Sequence, residues 1–385
     1  MAAVPAARVL IAFRQPLVLQ QSFRLVSLQL TSGCLSRRLC SSTNEPKRPL
    51  NPENESLLEN LNLMGVDVRK ARNRQPGVFR KTVTNEKVLA QFLQEKGASS
   101  EVIASIVSRY PRSITRSLEN LEQRWQLLRH VFSTDAEIVD ILDRSPESFF
   151  RSSDNENLEK NIAFLISLRL SSKIFLRLMT KAPRVFSNSV ALNVQKVEFL
   201  KDICGQLGGT NPEQLAKNII CRNIYILIVS DRRMKSNINF LRDSLQLSNS
   251  ALLDFLGGQG ANLLDLSNVY VKKTFHNLVH KMSSLGCQKD EIKKLIIKYP
   301  RILYSGDTTL NTKVDCLLNG GITIKQILEK PRVLELSTQN LTKRLEQLQT
   351  VGYDFEENGI HILDTSQKRF DAKIEKFAVT KDKAK

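Results

Sequence analysis

The chain has 385 residues, 41% hydrophobic, 25% charged and 6% aromatic, with 57 lysines and arginines against 39 acids. A formal charge of +18 points to a polyanionic partner and says little about fold. The low aromatic share argues against a base-stacking sheet, and the scattered Cys204, Cys221, Cys287 and Cys316 suggest neither a zinc site nor a disulfide framework.

In chain order, Arg8, Arg14, Arg24, Arg37 and Arg38 stand among apolar residues and serines, with no lysine or acid before Glu45. This is the composition of a mitochondrial transit peptide, expected over residues 1–41 with cleavage near Arg37 to Ser42. Losing those five arginines takes the charge from +18 to +13, so the rest of the chain is basic in its own right. Residues 42–56, rich in Pro, Asn and Glu, read as a linker. No later apolar run approaches the length of a membrane span.

From there one motif recurs. Tyr110-Pro111-Arg112-Ser113-Ile114 returns as Ser145-Pro146-Glu147-Ser148-Phe149, Ala182-Pro183-Arg184-Val185-Phe186, Tyr299-Pro300-Arg301-Ile302-Leu303 and Lys330-Pro331-Arg332-Val333-Leu334, with a weaker copy at Gln75-Pro76-Gly77-Val78-Phe79. The gap from Pro183 to Pro300 fits three periods whose internal copies have lost proline, at Asn223-Ile224-Tyr225-Ile226-Leu227 and Ala261-Asn262-Leu263-Leu264. A period of this length means stacked units. Each unit shows a helical stripe such as Val102, Ile103, Ile106, Val107 and Tyr110, begun by an N-cap at Ser99. Proline ends it, because it lacks an N–H and disfavours the helical conformation at Tyr110. A short 3₁₀ turn and a second helix follow, here with Leu118, Leu121, Trp125 and Leu128 on one face. The fold expected is all-α, an array of helix–proline turn–helix repeats of about 30–40 residues over 57–365, closed by a basic helix and tail over 366–385.

The second helices align by themselves. Arg124, Asn161, Lys196, Asn237, Asn277, Lys313, Arg344 and Lys373 each precede an apolar residue in one column. Lys196, Lys313 and Arg344 are candidate phosphate contacts, or residues that solvate an outer face. Arg112, Arg184, Arg301 and Arg332 fill the slot after proline, and Arg151 serves the unit with Glu147 there. Such a ladder suits regularly spaced phosphates; the alternative is that each arginine caps the helix end beside it.

Catalysis has no comparable support. His276 and His280 have metal-ligand spacing, but no glutamate follows His276 and no third ligand is near, so no metal is expected. Gly257-Gly258-Gln259-Gly260 and Gly205–Thr210 lack the ending of a P-loop and read as helix ends. The expectation is a protein that is not an enzyme and needs no cofactor.

Repeated x-Pro-Arg-x-apolar turns between helices, a basic chain and a mitochondrial presequence together resemble the mitochondrial transcription termination factor family over residues 57 to 375. The segments Arg74–Phe79, Arg144–Arg151 and Ala182–Ser189 are similar to its founding member. The resemblance implies a superhelical α-solenoid that wraps double-stranded mitochondrial DNA in the matrix nucleoid. It also implies arrest of transcription within a leucine tRNA gene downstream of the ribosomal RNA genes, by bending, unwinding and base eversion. By motif match, Arg144, Tyr225 and Tyr270 would stack on everted bases, and Arg151, Arg184, Arg233, Arg332 and Arg369 would contact phosphate or guanine. Ile224 stands where the family turn has proline, which puts the local turn geometry in question. A monomer is expected, with mitochondrial transcription machinery as a possible partner. The competing readings are a ribosomal RNA-binding protein in ribosome assembly, a single-stranded RNA reader, and a helical-repeat protein-interaction scaffold.

Overall fold

In a computed structural model the described residues are 52–382, with side chains described to residue 377. The expected transit peptide, its cleavage region and Lys383 and Lys385 of the tail lie outside them. Among the described residues there are twenty α-helices, seven 3₁₀ segments and no strand, and the array is an all-α helical-repeat solenoid.

Nine repeats follow one plan of long helix, short helix and turn. The long helices are Glu55–Leu63, Glu86–Glu95, Leu118–Arg129, Asn155–Ser167, Val190–Gln206, Asp231–Leu245, Asn268–Ser284, Asp307–Asn319 and Thr338–Thr350. Repeats are numbered 1 to 9 in that order. The short helices run from Val68–Arg74 to Phe355–Asn358, and the helix Gln367–Asp382 closes the array. The first long helix begins at Glu55, capped by Asn54, inside the segment read as linker. Along most of the array long helix packs on long helix and short on short. One core therefore runs its length, as a repeat that cannot bury its apolar face alone requires. Trp125 shows how neighbours share it. Its ring meets Phe92 edge-on at 5.5 Å from repeat 2 and Phe149 at 6.0 Å from its own turn, and its indole N–H donates to Asp135 at 2.9 Å.

The turns set the geometry. Tyr110 enters its turn at φ −139°, ψ 72°, and Gln75, Ser145, Ala182, Tyr299 and Lys330 lie close by, all outside the helical region that a following proline disfavours. Proline then sits at the first position of the 3₁₀ segment, where its missing N–H costs nothing. Pro146–Phe150 differs only in closing as one α-turn. Asn223 adopts the same conformation, φ −129° and ψ 89°, although Ile224 follows it. Its side chain accepts from the Tyr225 N–H at 3.2 Å, an Asx turn that supplies the constraint proline supplies elsewhere. The turn Gln259–Leu263 departs, entering through Gly258 at φ −98°, ψ −145°. Gly260 permits this, because a Cβ there would lie 2.3 Å from the Phe255 ring.

Six long helices end in a left-handed glycine: Gly65, Gly97, Gly208, Gly286, Gly321 and Gly352. Repeats 4 and 6 place Arg169 (φ 53°) and Gln246 (φ 54°) at that point. A Cβ is disfavoured there. Arg169→Gly is therefore expected to stabilise the chain by about 0.5–1 kcal/mol, read as a higher urea midpoint; an unchanged or lower midpoint contradicts this.

Candidate nucleic-acid interface

The buried column comes first, because it decides which cations are left for a ligand. Arg124, Asn161, Lys196, Asn237, Lys313 and Arg344 are all buried, most of them below 8% exposure. Each reaches from its long helix to the segment that ends the turn of its own repeat or starts the next long helix. Arg124 donates to Asn155 Oδ1 (2.9 Å), Asn161 to the Asn188 carbonyl (2.8 Å) and Lys196 to Asp231 Oδ1 (2.5 Å). Asn237 donates to the carbonyls of Leu263, Leu264 and Leu266, and Lys313 to that of Leu334 at 2.8 Å. Arg344 donates to the carbonyls of Leu363 (2.6 Å) and Thr365 (2.8 Å) and to Gln367 Oε1 (3.1 Å).

This corrects the sequence reading of Lys196, Lys313 and Arg344. They neither face phosphate nor solvate a surface. Non-helical turn carbonyls buried between repeats need donors, and a long cationic or amide side chain is what reaches them. Burial lowers the pKa of Arg124 to about 10 and depresses those of Lys313 and Arg344, with nearby carboxylates opposing in each case.

A second set of staples was not read from the sequence. Arg109 donates to the carbonyls of Asp143 and Arg144, Arg177 to Cys221 (2.9 Å), Arg222 to Gly257 (2.9 Å) and Lys298 to Glu329 (3.1 Å). Each cation lies on a short helix, in its last turn or about one turn before it, and serves the same helix end one repeat on. The signal was present: a basic residue recurs near the ends of these helices, at Arg109, Arg177, Arg222 and Lys298.

Of these staples only the one to Glu329 reaches a helix end that a post-proline arginine, Arg332, follows. Arg112, Arg184, Arg301 and Arg332 are exposed, and among the described residues none of their side chains bonds a backbone carbonyl. Successive turns touch one another, as in repeats 1 and 2, 4 and 5, and 6 and 7, so these arginines belong to one turn-lined edge. Two of them face carboxylates: Arg301 lies 3.5 Å from Glu335 and Arg332 3.6 Å from Asp364. Such pairs are weak in water and exchangeable for phosphate.

The other candidate residues lie on or beside the same turns, Arg369 excepted. Arg144 is exposed, ends its short helix and pairs with Asp140 at 3.0 Å; Arg151 is exposed and pairs with Glu147. Tyr225 projects from the turn of repeat 5 with 38% of its surface exposed. Tyr270 occupies the first turn of a long helix, half-buried, its hydroxyl donating to the Tyr304 carbonyl at 2.6 Å. Arg233 is exposed in the first turn of another, 3.4 Å from the Asp265 carbonyl. Arg369 is exposed on the closing helix.

The mTERF profile matches residues 58–371, nearly all of the array. The chain belongs to the mTERF family. It is 48% identical over 335 residues to mitochondrial transcription termination factor 1 of Homo sapiens, covering 87% of this chain and 84% of that protein. It is 46% identical over 334 residues to transcription termination factor 1b of Mus musculus, covering 87% and 88%. To mitochondrial transcription termination factor 2 of Homo sapiens it is 29% identical over 369 residues, covering 95% of each. mTERF proteins are nucleic-acid-binding regulators and not enzymes. Among the described residues no helix is long and apolar enough to cross a membrane.

Proposed function

We propose that this mTERF protein acts in mitochondria as a sequence-specific binder of double-stranded DNA that terminates transcription. Its site would lie within a leucine tRNA gene downstream of the ribosomal RNA genes. The observation that carries the reading is the turn edge: exposed arginines recur at the turns of repeats 2, 4, 7 and 8, with Arg151 beside that of repeat 3, while the equally basic residues beneath them are consumed by the fold. The names of the relatives supply the process and the compartment.

Arg112, Arg184, Arg301 and Arg332, with Arg151, Arg233 and Arg369, would hold phosphates or guanines. Guanidinium forks match both targets. Arg144, Tyr225 and Tyr270 would stack on bases drawn out of a bent, unwound duplex. Unstacking costs a few kcal/mol, and stacking on an aromatic ring returns about 1–3 kcal/mol per base. A complex that must restack its bases before it dissociates has a slow k_off, which is what a block to a polymerase requires. One chain spanning the site needs no two-fold half-sites, so a monomer suffices.

The test is run-off transcription by a mitochondrial polymerase on a template carrying the leucine tRNA gene. The expected product is truncated at the protein's footprint and grows with protein concentration. Full-length transcripts from templates shown by footprinting to be occupied would contradict termination while leaving binding intact.

A further inference from the structure

The two 3₁₀ turns without proline, Ile224–Ile228 and Gln259–Leu263, are consecutive, and side chains from neighbouring turns close them. Asn223 donates to the Ala261 carbonyl and to Asp265 Oδ1, both at 2.9 Å, while accepting from the Tyr225 N–H. Tyr304, in the turn of repeat 7, donates its hydroxyl to the Asn262 carbonyl and lies 3.4 Å from the same Asp265 oxygen. The Tyr304 carbonyl in turn accepts the Tyr270 hydroxyl at 2.6 Å. Contacts therefore run across three turns from the Tyr225 backbone N–H through Asn223 and Asp265 to Tyr304, whose hydroxyl proton goes to the Asn262 carbonyl, and on through the Tyr304 carbonyl to the Tyr270 hydroxyl. Asp265 is their midpoint, and their two ends are the exposed and half-buried tyrosines of the turn edge. Burial and then the Asp265 carboxylate raise the Tyr304 pKa, so its hydroxyl remains a donor at physiological pH.

In the six turns that begin with proline the ring fixes the entry covalently, and no such chain of contacts is needed. Here hydrogen bonds do the fixing, and they tie the two turns to each other as well. We propose that Asp265 is a positioning residue which, through Asn223 and Tyr304, holds Tyr225 and Tyr270 at a set separation so that the two rings engage DNA bases as one unit. This rests on the base-stacking reading above. Tyr225 is held through its backbone N–H and Tyr270 through its hydroxyl, so the contacts set where both residues stand and, for Tyr270, the ring as well; a group already placed need not be ordered on binding.

The experiment scans 2-aminopurine through the leucine tRNA-gene duplex and measures its fluorescence rise when the full chain binds. Tyr270→Phe keeps the ring and removes only the bond to Tyr304; Asp265→Ala removes the midpoint. Each is expected to lower the rise about threefold or more, and the double variant to fall no further than the worse single one, because both cut one chain. Asp265→Asn keeps an acceptor oxygen and is expected to restore the rise to within about twofold of the parent. If Tyr270→Phe and Asp265→Ala give the parent signal while Tyr270→Ala loses it, stacking stands and the positioning role is overturned. If Tyr225→Ala and Tyr270→Ala also give the parent signal, the stacking reading itself fails. Should Asp265→Ala not fold, Tyr270→Phe decides alone, since it alters one hydroxyl on a partly exposed side chain.

Discussion

Replacing Arg112, Arg184, Arg301 and Arg332 together by alanine is expected to flatten the salt dependence of duplex binding far more than it disturbs the fold. Each phosphate contact contributes about 0.9 to the slope of log K against log salt, so losing four lowers the slope by about 3.6. Between 50 and 200 mM salt the parent should then lose about 150-fold more affinity than the variant, which starts from a much weaker complex. The variant also removes the ion-pair partners of Glu335 and Asp364, while Tyr299 still donates to Glu335, leaving two carboxylates facing the phosphates. Stability should move little, since exposed substitutions away from caps and core are typically within about 0.5 kcal/mol each. Salt titrations of fluorescence anisotropy beside thermal melts read both quantities. A slope equal to the parent's would place the phosphate contacts on some other surface.

Arg344→Ala should do the opposite. Its guanidinium is buried, serves the carbonyls of Leu363 and Thr365, holds Gln367 Oε1 and lies 4.5 Å from the centroid of the Phe370 ring. Removing it leaves two buried carbonyls unsatisfied and the closing helix untied, an expected loss of about 3–5 kcal/mol. In a solenoid that loss is local to the last repeat. The closing helix should become sensitive to proteolysis at temperatures where the remaining repeats still resist. Arg344→Lys keeps the charge but offers one ammonium in place of a planar fork, and should recover only part of the stability. If Arg344→Ala melts like the parent but binds DNA weakly, the residue belongs to the interface after all.

The contrast between these two variants marks how much was legible in the sequence. Proline acts locally, through its own φ and the residue before it, so the turns and their period could be read from composition and spacing alone. The two proline-free turns of repeats 5 and 6 were found by counting periods, and Asn223 keeps the proline geometry through its side chain. The division of labour among the cations was not legible. Arg344 and Arg332 differ in burial, yet a helical stripe does not say which polar position faces an internal turn of its own repeat. That depends on where the turn's carbonyls end up after stacking. Arg109 and Lys298 were missed for the same reason: their acceptors lie about thirty residues away, on the next repeat. The contacts through Asp265 join residues 42, 39 and 34 positions apart from turn to turn, with no shared spacing to announce them.

The measurement that bears most directly on the whole account is equilibrium binding of the purified chain to four ligands over a range of salt. These are a duplex carrying the mitochondrial leucine tRNA gene, a scrambled duplex, one strand of the first as single-stranded DNA, and the matching RNA. A large preference for the first duplex that persists at physiological salt is expected, with the other three bound weakly and more salt-sensitively. Equal affinity for the two duplexes, or tighter binding to RNA, would contradict it and turn attention to ribosomal RNA as the polyanion this edge was built to hold.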